Sequence, residues 1–200
     1  DLFVKLIKHT SKTALEVCEG QQYDMDFETQ KDVTISAYLE MIRLKTAVLV
    51  GHSLKIGAWI GNASDQESQL LYDFGVLLGM AFQIQDDYLD AFGDPKDFGK
   101  QVGGDILENK KTILYHEVMK SGNTKEKEAL IQWYDTTVKN NQKVIAVKGI
   151  FKSSGASIAS QKLVTSYTED AFKKLESLII SKQGKKLLIE FGQNLMNRKF

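Results

Sequence analysis

Apolar residues recur at three- and four-residue spacing along almost the whole of this sequence, and stretches that alternate apolar with polar are scarce. The first pattern lines one face of an α-helix, where each residue advances by about 100°, whereas strict alternation marks a half-buried strand. A single proline stands in 200 residues, so little interrupts the period. The chain is therefore predicted to be all-α. It is long enough to bury one core, and with no internal repeat, low-complexity tract or linker, residues 1–200 read as a single helical domain.

Leu2, Phe3, Leu6, Ile7, Ala14, Leu15, Val17 and Cys18 mark a first long helix, with Cys18 expected as a small buried side chain. TISAYLEMIRLKTAVLVGHSLKIGAWIG predicts a second, capped by Thr34 or Ser36 and ending near Gly61. Within it, Gly51 and Gly57 permit a kink or a close helix contact. Ser64 and Glu67 have the spacing of a capping box, so a third helix begins there. It runs to about Phe92, where Gly93-Asp94-Pro95 stops it. Residues 93–104 read as a glycine-rich loop, and Asp105 followed by Glu108 marks another helix start. Three or four shorter helices follow, with breaks near Ser121–Asn123, Gly155 and Gly184.

Lys plus Arg equals Asp plus Glu at 26 each, a balance that gives no sign of a general attraction to nucleic acid or anionic membrane, and neither partner is expected. No apolar run approaches the roughly 18 residues of a membrane span. Cys18 alone rules out an internal disulfide and fits a reducing compartment, so a cytoplasmic location is expected. His9, His52 and His116 lack metal-ligand spacing and are assigned to packing or surface roles. KEKE at 125–128 reads as a solvated helix start.

The third helix ends its apolar run, LLYDFGVLLGMA, on FQIQDDYLD. Gln83, Asp86, Asp87 and Asp90 share one helical face, and Asp86 and Asp90 stand one turn, about 6 Å, apart. Carboxylates so close repel, and each resists ionisation without positive charge nearby. A hard divalent cation answers that need; Mg²⁺, or secondarily Mn²⁺, sharing its shell with phosphate oxygens is the natural candidate. The alternative is a solvated acidic helix end. Lys45 interrupts MIRLKTAVLV, where it either meets an anion or snorkels to the surface. Lys100 lies in the glycine-rich loop, with Asp105 and Lys110 following.

Together these residues resemble the trans-type isoprenyl diphosphate synthases, the farnesyl and geranylgeranyl diphosphate synthase family. FQIQDDYLD followed by GDPKDFGKQVGGDILENKKT resembles that family's second aspartate-rich motif and lysine loop. GQQYD at 20–24 resembles its GQxxD element, and YLEMIRLKTAVLV at 38–50 the helix with its lysine–threonine pair. The order is the family's, and the likeness is dense over the first 115 or so residues. It implies an isoprenoid synthase-type helical bundle around a central cavity. It also implies Mg²⁺-dependent condensation of an allylic diphosphate with isopentenyl diphosphate, in an enzyme that is commonly a homodimer.

Carried over residue by residue, Asp86 resembles the direct metal ligand and Asp87 and Asp90 its partners. Lys45 and Lys100 correspond to lysines that grip the allylic diphosphate, while Thr46 and Gln83 place oxygens beside the developing cation. Gln21 and Asp24 line the same cavity, Asp105 orients metal-bound water, Phe82 packs near the isopentenyl tail and Lys110 supports the loop. Arg198 and Lys199 resemble the family's basic C-terminus only loosely. One departure stands out: the family's first DDxxD motif and its arginine pair, upstream of GQxxD, do not occur in these residues. The sequence therefore reads as the C-terminal two-thirds of a synthase, inactive by itself. A non-catalytic subunit of a heteromeric synthase and a class I terpene cyclase are the alternatives.

Overall fold

The computed structural model describes residues 2–94 and 102–197, and among these there are helices and no strands. The helices are α1 (Leu2–Thr29), α2 (Ile35–Ile42), a π-helical turn (Arg43–Ala47), α3 (Val48–Ile60), α4 (Asp65–Phe92) and α5 (Gly104–Leu107). They continue as α6 (Ile113–Ser121), α7 (Thr124–Tyr134), α8 (Asn141–Ser153), α9 (Ala156–Glu176) and α10 (Lys182–Met196). Local chemistry sets several starts. Thr34 caps α2 by accepting the Ala37 N–H at 3.1 Å. At the head of α4, Ser64 Oγ accepts the Glu67 N–H at 3.2 Å, and Glu67 Oε2 takes the Ser64 N–H at 2.8 Å. Asn123 and Glu126 repeat that reciprocal box on α7, so KEKE does open a helix.

The chain divides into two compact units, one built from residues 2–25, 39–83 and 164–197, the other from 26–38, 84–94 and 102–163. In the first, Phe74 and Leu78 of α4 pack with Ala171 and Leu175 of α9 and with Leu178. Its helices also meet backbone to backbone. A Cβ on Gly75 would lie 2.7 Å from Gly51 Cα, so α3 and α4 cross where neither has a side chain. In the second unit, α5 packs on α8, and α6, α7 and α8 pack on one another. Ile84, Ile106, Ile113, Leu114, Val118, Leu130, Val147 and Phe151 are buried there.

Several expectations are corrected. Cys18 is exposed, and Leu2, Phe3, Ile7 and Leu15 on α1 are exposed as well. An apolar stripe is buried only where another element covers it, and α1 instead turns Thr13 and Gly20 inward. Gly57 meets nothing within 4 Å, so only Gly51 of the two helix glycines makes a close contact. After α5 come five helices rather than three or four. Gly155, with φ of +79°, makes the expected break, whereas Gly184 sits in the first turn of α10, its N–H held by Ser181 Oγ. His116 is buried, with its ring 5.4 Å from Tyr38. His9 packs 4.9 Å from His52 and 5.3 Å from Trp59, consistent with packing histidines.

Candidate functional site

In the first unit, the predicted lysine–threonine pair lies on the π turn Arg43–Ala47 rather than on a regular helix. Such turns are rare and are enriched at functional sites. Both sides of this one are close-packed. A Cβ on Gly20 of α1 would fall on the backbone of Leu44 and Lys45, 2.7 Å from Lys45 Cα; one on Gly79 of α4 would come within 2.5 Å of Ala47 Cα. Glycines at those two positions let neighbouring helices press against the turn and fix where its side chains leave it.

Lys45 Nζ lies 2.5 Å from Asp24 Oδ2, with the lysine side chain 34% and the aspartate 21% exposed. The half-buried lysine head thus meets a carboxylate instead of reaching fully into water. Thr46 Oγ1 donates to Gln83 Oε1 at 3.0 Å, which orients the amide of the predicted glutamine. Phe82 is half-buried and Gln21 is exposed on α1.

In the second unit the three aspartates of α4 occupy unlike settings. Asp87 is buried and accepts a hydrogen bond from the Tyr38 hydroxyl. Asp86 and Asp90 are half-buried. Asp90 Oδ2 accepts the Asp105 N–H at 3.1 Å, and its backbone carbonyl takes the Gly103 N–H at 2.6 Å. Burial first, and then the Asp105 charge, push the Asp90 pKa up to about 6. Burial also raises Asp105; Lys110 opposes that rise, while Glu108 and Asp86 add to it. Lys110 Nζ stands 3.4 Å from Asp105 Oδ1 and 3.3 Å from Glu108 Oε2. Burial works to lower the Lys110 pKa, but Asp105 and Glu108 outweigh it and raise it. Among the described residues, Lys110 pairs with Asp105 and Glu108, and Lys148 also feels the charge of Asp90, yet burial and mutual repulsion still hold the Asp90 carboxyl above its ordinary range.

Carboxylates crowded in this way fit a divalent cation of the Mg²⁺ type. Among the described residues no three His, Cys, Asp or Glu side chains converge to enclose an ion. An ion here would be held by one or two carboxylates and would complete its shell with water and substrate oxygen, as Mg²⁺ commonly does. Lys100, Arg198 and Lys199 lie outside the described residues. The structure brings in residues the sequence did not single out for this role: Tyr38 on Asp87, and Asn109 and Lys143 behind the turn carrying Lys110. Tyr38 and Asp87 are 49 positions apart and Lys143 and Asn109 are 34 apart, so no local pattern announces either pair.

Comparison with known proteins bears on the same residues. The polyprenyl synthetase family profile matches residues 2–151. A short chain isoprenyl diphosphate synthase from Methanothermobacter thermautotrophicus is 38% identical over 167 residues, which are 83% of this chain and 50% of that protein. The crystal structure of a geranylgeranyl pyrophosphate synthase superposes with a TM-score of 0.93 at 48% identity, covering 100% of this chain and 62% of the other. A Corynebacterium glutamicum geranylgeranyl pyrophosphate synthase, solved with isoprenyl diphosphate and magnesium, shares the fold at a TM-score of 0.90 and 24% identity. It is matched over 99% of this chain and 56% of its own. The chain thus spans between half and about six-tenths of the length of these relatives. No described helix is long and apolar enough to cross a membrane.

Proposed function

The chain belongs to the polyprenyl synthetase family, and from that premise we propose that it is the portion of a trans-prenyltransferase that grips and ionises an allylic diphosphate. The full enzyme then joins the allylic cation to isopentenyl diphosphate, giving a longer diphosphate of the farnesyl or geranylgeranyl type. The observation that carries this reading is the half-buried pair Asp90 and Asp105, set close enough that burial and the Asp105 charge raise Asp90 to about 6 even with Lys110 beside it. Ground-state stability gains nothing from such a cluster, whereas a cation shared with a diphosphate would complete it.

In this mechanism Lys45 and Lys100 bind the diphosphate, and Asp24 holds Lys45 in place until substrate arrives. Asp86 and Asp90 would hold Mg²⁺, with Asp105 orienting its water; buried Asp87, tied to Tyr38, keeps this end of α4 in register. A cation held there would supply Lewis-acid neutralisation of the leaving diphosphate's growing charge. Gln83 Oε1, held by Thr46, supplies an oxygen to stabilise the developing allylic cation. Phe82 and the apolar residues before it on α4 exclude water, which would otherwise quench the cation. Gln21 lines the same path, and the working enzyme is a homodimer.

Calorimetric titration with inorganic pyrophosphate tests the proposal. Binding is expected with Mg²⁺ and lost without it, and it should also be lost in Lys45→Ala and Asp86→Ala. Equal binding with and without the metal would defeat the reading. Because the family's other aspartate motif does not occur in these 200 residues, the purified chain is expected to turn over geranyl and isopentenyl diphosphates negligibly. Clear Mg²⁺-dependent product would overturn that expectation.

A further inference from the structure

Lys143 is a charged residue with no solvent exposure at all. It stands at the start of α8, and its Nζ donates to Asn109 Oδ1 while lying 5.8 Å from the centre of the Tyr134 ring. Burying an ammonium is costly unless it is hydrogen-bonded, and a packing position is filled more cheaply by leucine or methionine. The lysine is therefore there for what it donates to.

Its target is a tight turn that carries a left-handed non-glycine residue. Asn109 sits in the left-handed region at φ of +58°, and its amide also donates to the Thr136 carbonyl at 3.3 Å. One residue on, the Lys110 N–H reaches back to the Asp105 carbonyl at 2.9 Å. At the other end of α5, Gly103 is left-handed too, at φ of +88°, and a Cβ there would strike Val144 Cγ1 at 2.6 Å. Two consecutive residues of α8, Lys143 and Val144, thus touch the residues flanking α5. Between those flanks lies Asp105, whose N–H is bonded to Asp90 and whose carboxylate faces Lys110.

We infer that Lys143 is a positioning residue of the acidic site, its buried ammonium tethering Asn109 so that residues 103–110 hold Asp105 and Lys110 against Asp90. The tether stands on this geometry; its consequence for metal and diphosphate rests on the function proposed above. Amide hydrogen exchange on Lys143→Met and Asn109→Gly tests it, since glycine keeps the left-handed backbone while removing the acceptor. Each variant is expected to speed exchange at Asp105 and Lys110 about tenfold, with amides of residues 39–83 unchanged and the double variant no faster than either single one. Mg²⁺-dependent affinity for inorganic pyrophosphate should fall about tenfold in both. Unchanged exchange at Asp105 and Lys110, or a uniform acceleration across the chain, would refute the tether and leave Lys143 a residue of general stability. Failure of the unaltered chain to bind pyrophosphate with Mg²⁺ would count against the proposed function instead, because the exchange result is read without metal.

Discussion

The two units fix their functional side chains by opposite means. Around Lys45 and Thr46 the work is done by bare backbone: Gly20 and Gly79 bring neighbouring helices against the π turn, and the charge of Lys45 is met by Asp24. Around Asp90 the work is done by long polar tethers, Tyr38 to Asp87 and Lys143 to Asn109, and the carboxylates are left in excess. The first arrangement has its electrostatics settled and no volume to spare. The second has its volume filled and its electrostatics unfinished. Volume changes should therefore damage the first region, and charge changes should matter in the second.

The sharpest way to break this contrast is Gly79→Ala. Its new Cβ would meet Ala47 Cα at 2.5 Å, and backbone cannot swing aside as a flexible side chain can. A loss of about 3 kcal/mol, read from the denaturant midpoint, is expected. A loss near zero would mean the π turn is looser than its packing implies.

Asp90→Asn probes the other region and should act in the opposite direction. The folded-state pKa, about 6, lies above the ordinary carboxylate value of 3.8. The folded chain therefore holds this proton longer than the unfolded one, and stability falls as pH rises from about 4 to about 6. Asparagine still accepts the Asp105 N–H but carries no charge. It should leave stability unchanged near pH 4 and raise it by about 2 kcal/mol at pH 7, after allowance for the partial exposure of the site. Thermal melts of both chains across that range decide the matter. Equal curves at every pH would show that the carboxylates are not in conflict.

Tyr38→Phe removes the donor to a buried carboxylate and should cost about 1–2 kcal/mol. The counterpart at the π turn is the Thr46 hydroxyl, whose bond to Gln83 is only part-buried and joins two neutral groups, so Thr46→Val should cost less, about 0.5–1 kcal/mol. The smallest effect is reserved for Gly57→Ala, an exposed helix position with open space beyond it. A gain of about 0.5–1 kcal/mol is expected from the lost backbone entropy of glycine. A loss there instead would place an unseen constraint on α3.

Much of this fold was legible because its signals are local. The Ser64–Glu67 box and the stop at Gly93 need only neighbours in sequence, and α4 runs from Asp65 to Phe92 as read. The helical face joining Gln83, Asp86 and Asp90 follows from periodicity alone. What stayed hidden depends on partners far along the chain. The stripe on α1 is apolar as read, but burial is decided by what covers it, and Cys18 is exposed. Asp86, Asp87 and Asp90 look equivalent in sequence, yet Tyr38 buries one of them in a hydrogen bond. No local pattern singles out Lys143, and only the fold shows it buried on Asn109. The break between α7 and α8 carries no glycine or proline, and it went unread for that reason.

The π turn has a further effect on how α2 and α3 relate. For one turn the ladder steps by five residues instead of four, so the stretch before Arg43 and the stretch after Ala47 are out of phase by one residue, about 100° of rotation. A face counted in threes and fours from Tyr38 does not continue past Lys45 but is replaced by a new one. Deleting one residue between Arg43 and Ala47 would let an unbroken α-helix form and would leave the residues just before Arg43 facing as they do now, because the π turn absorbs one extra residue. An alignment against a chain with a regular helix here needs a one-residue gap inside an element where gaps are normally forbidden.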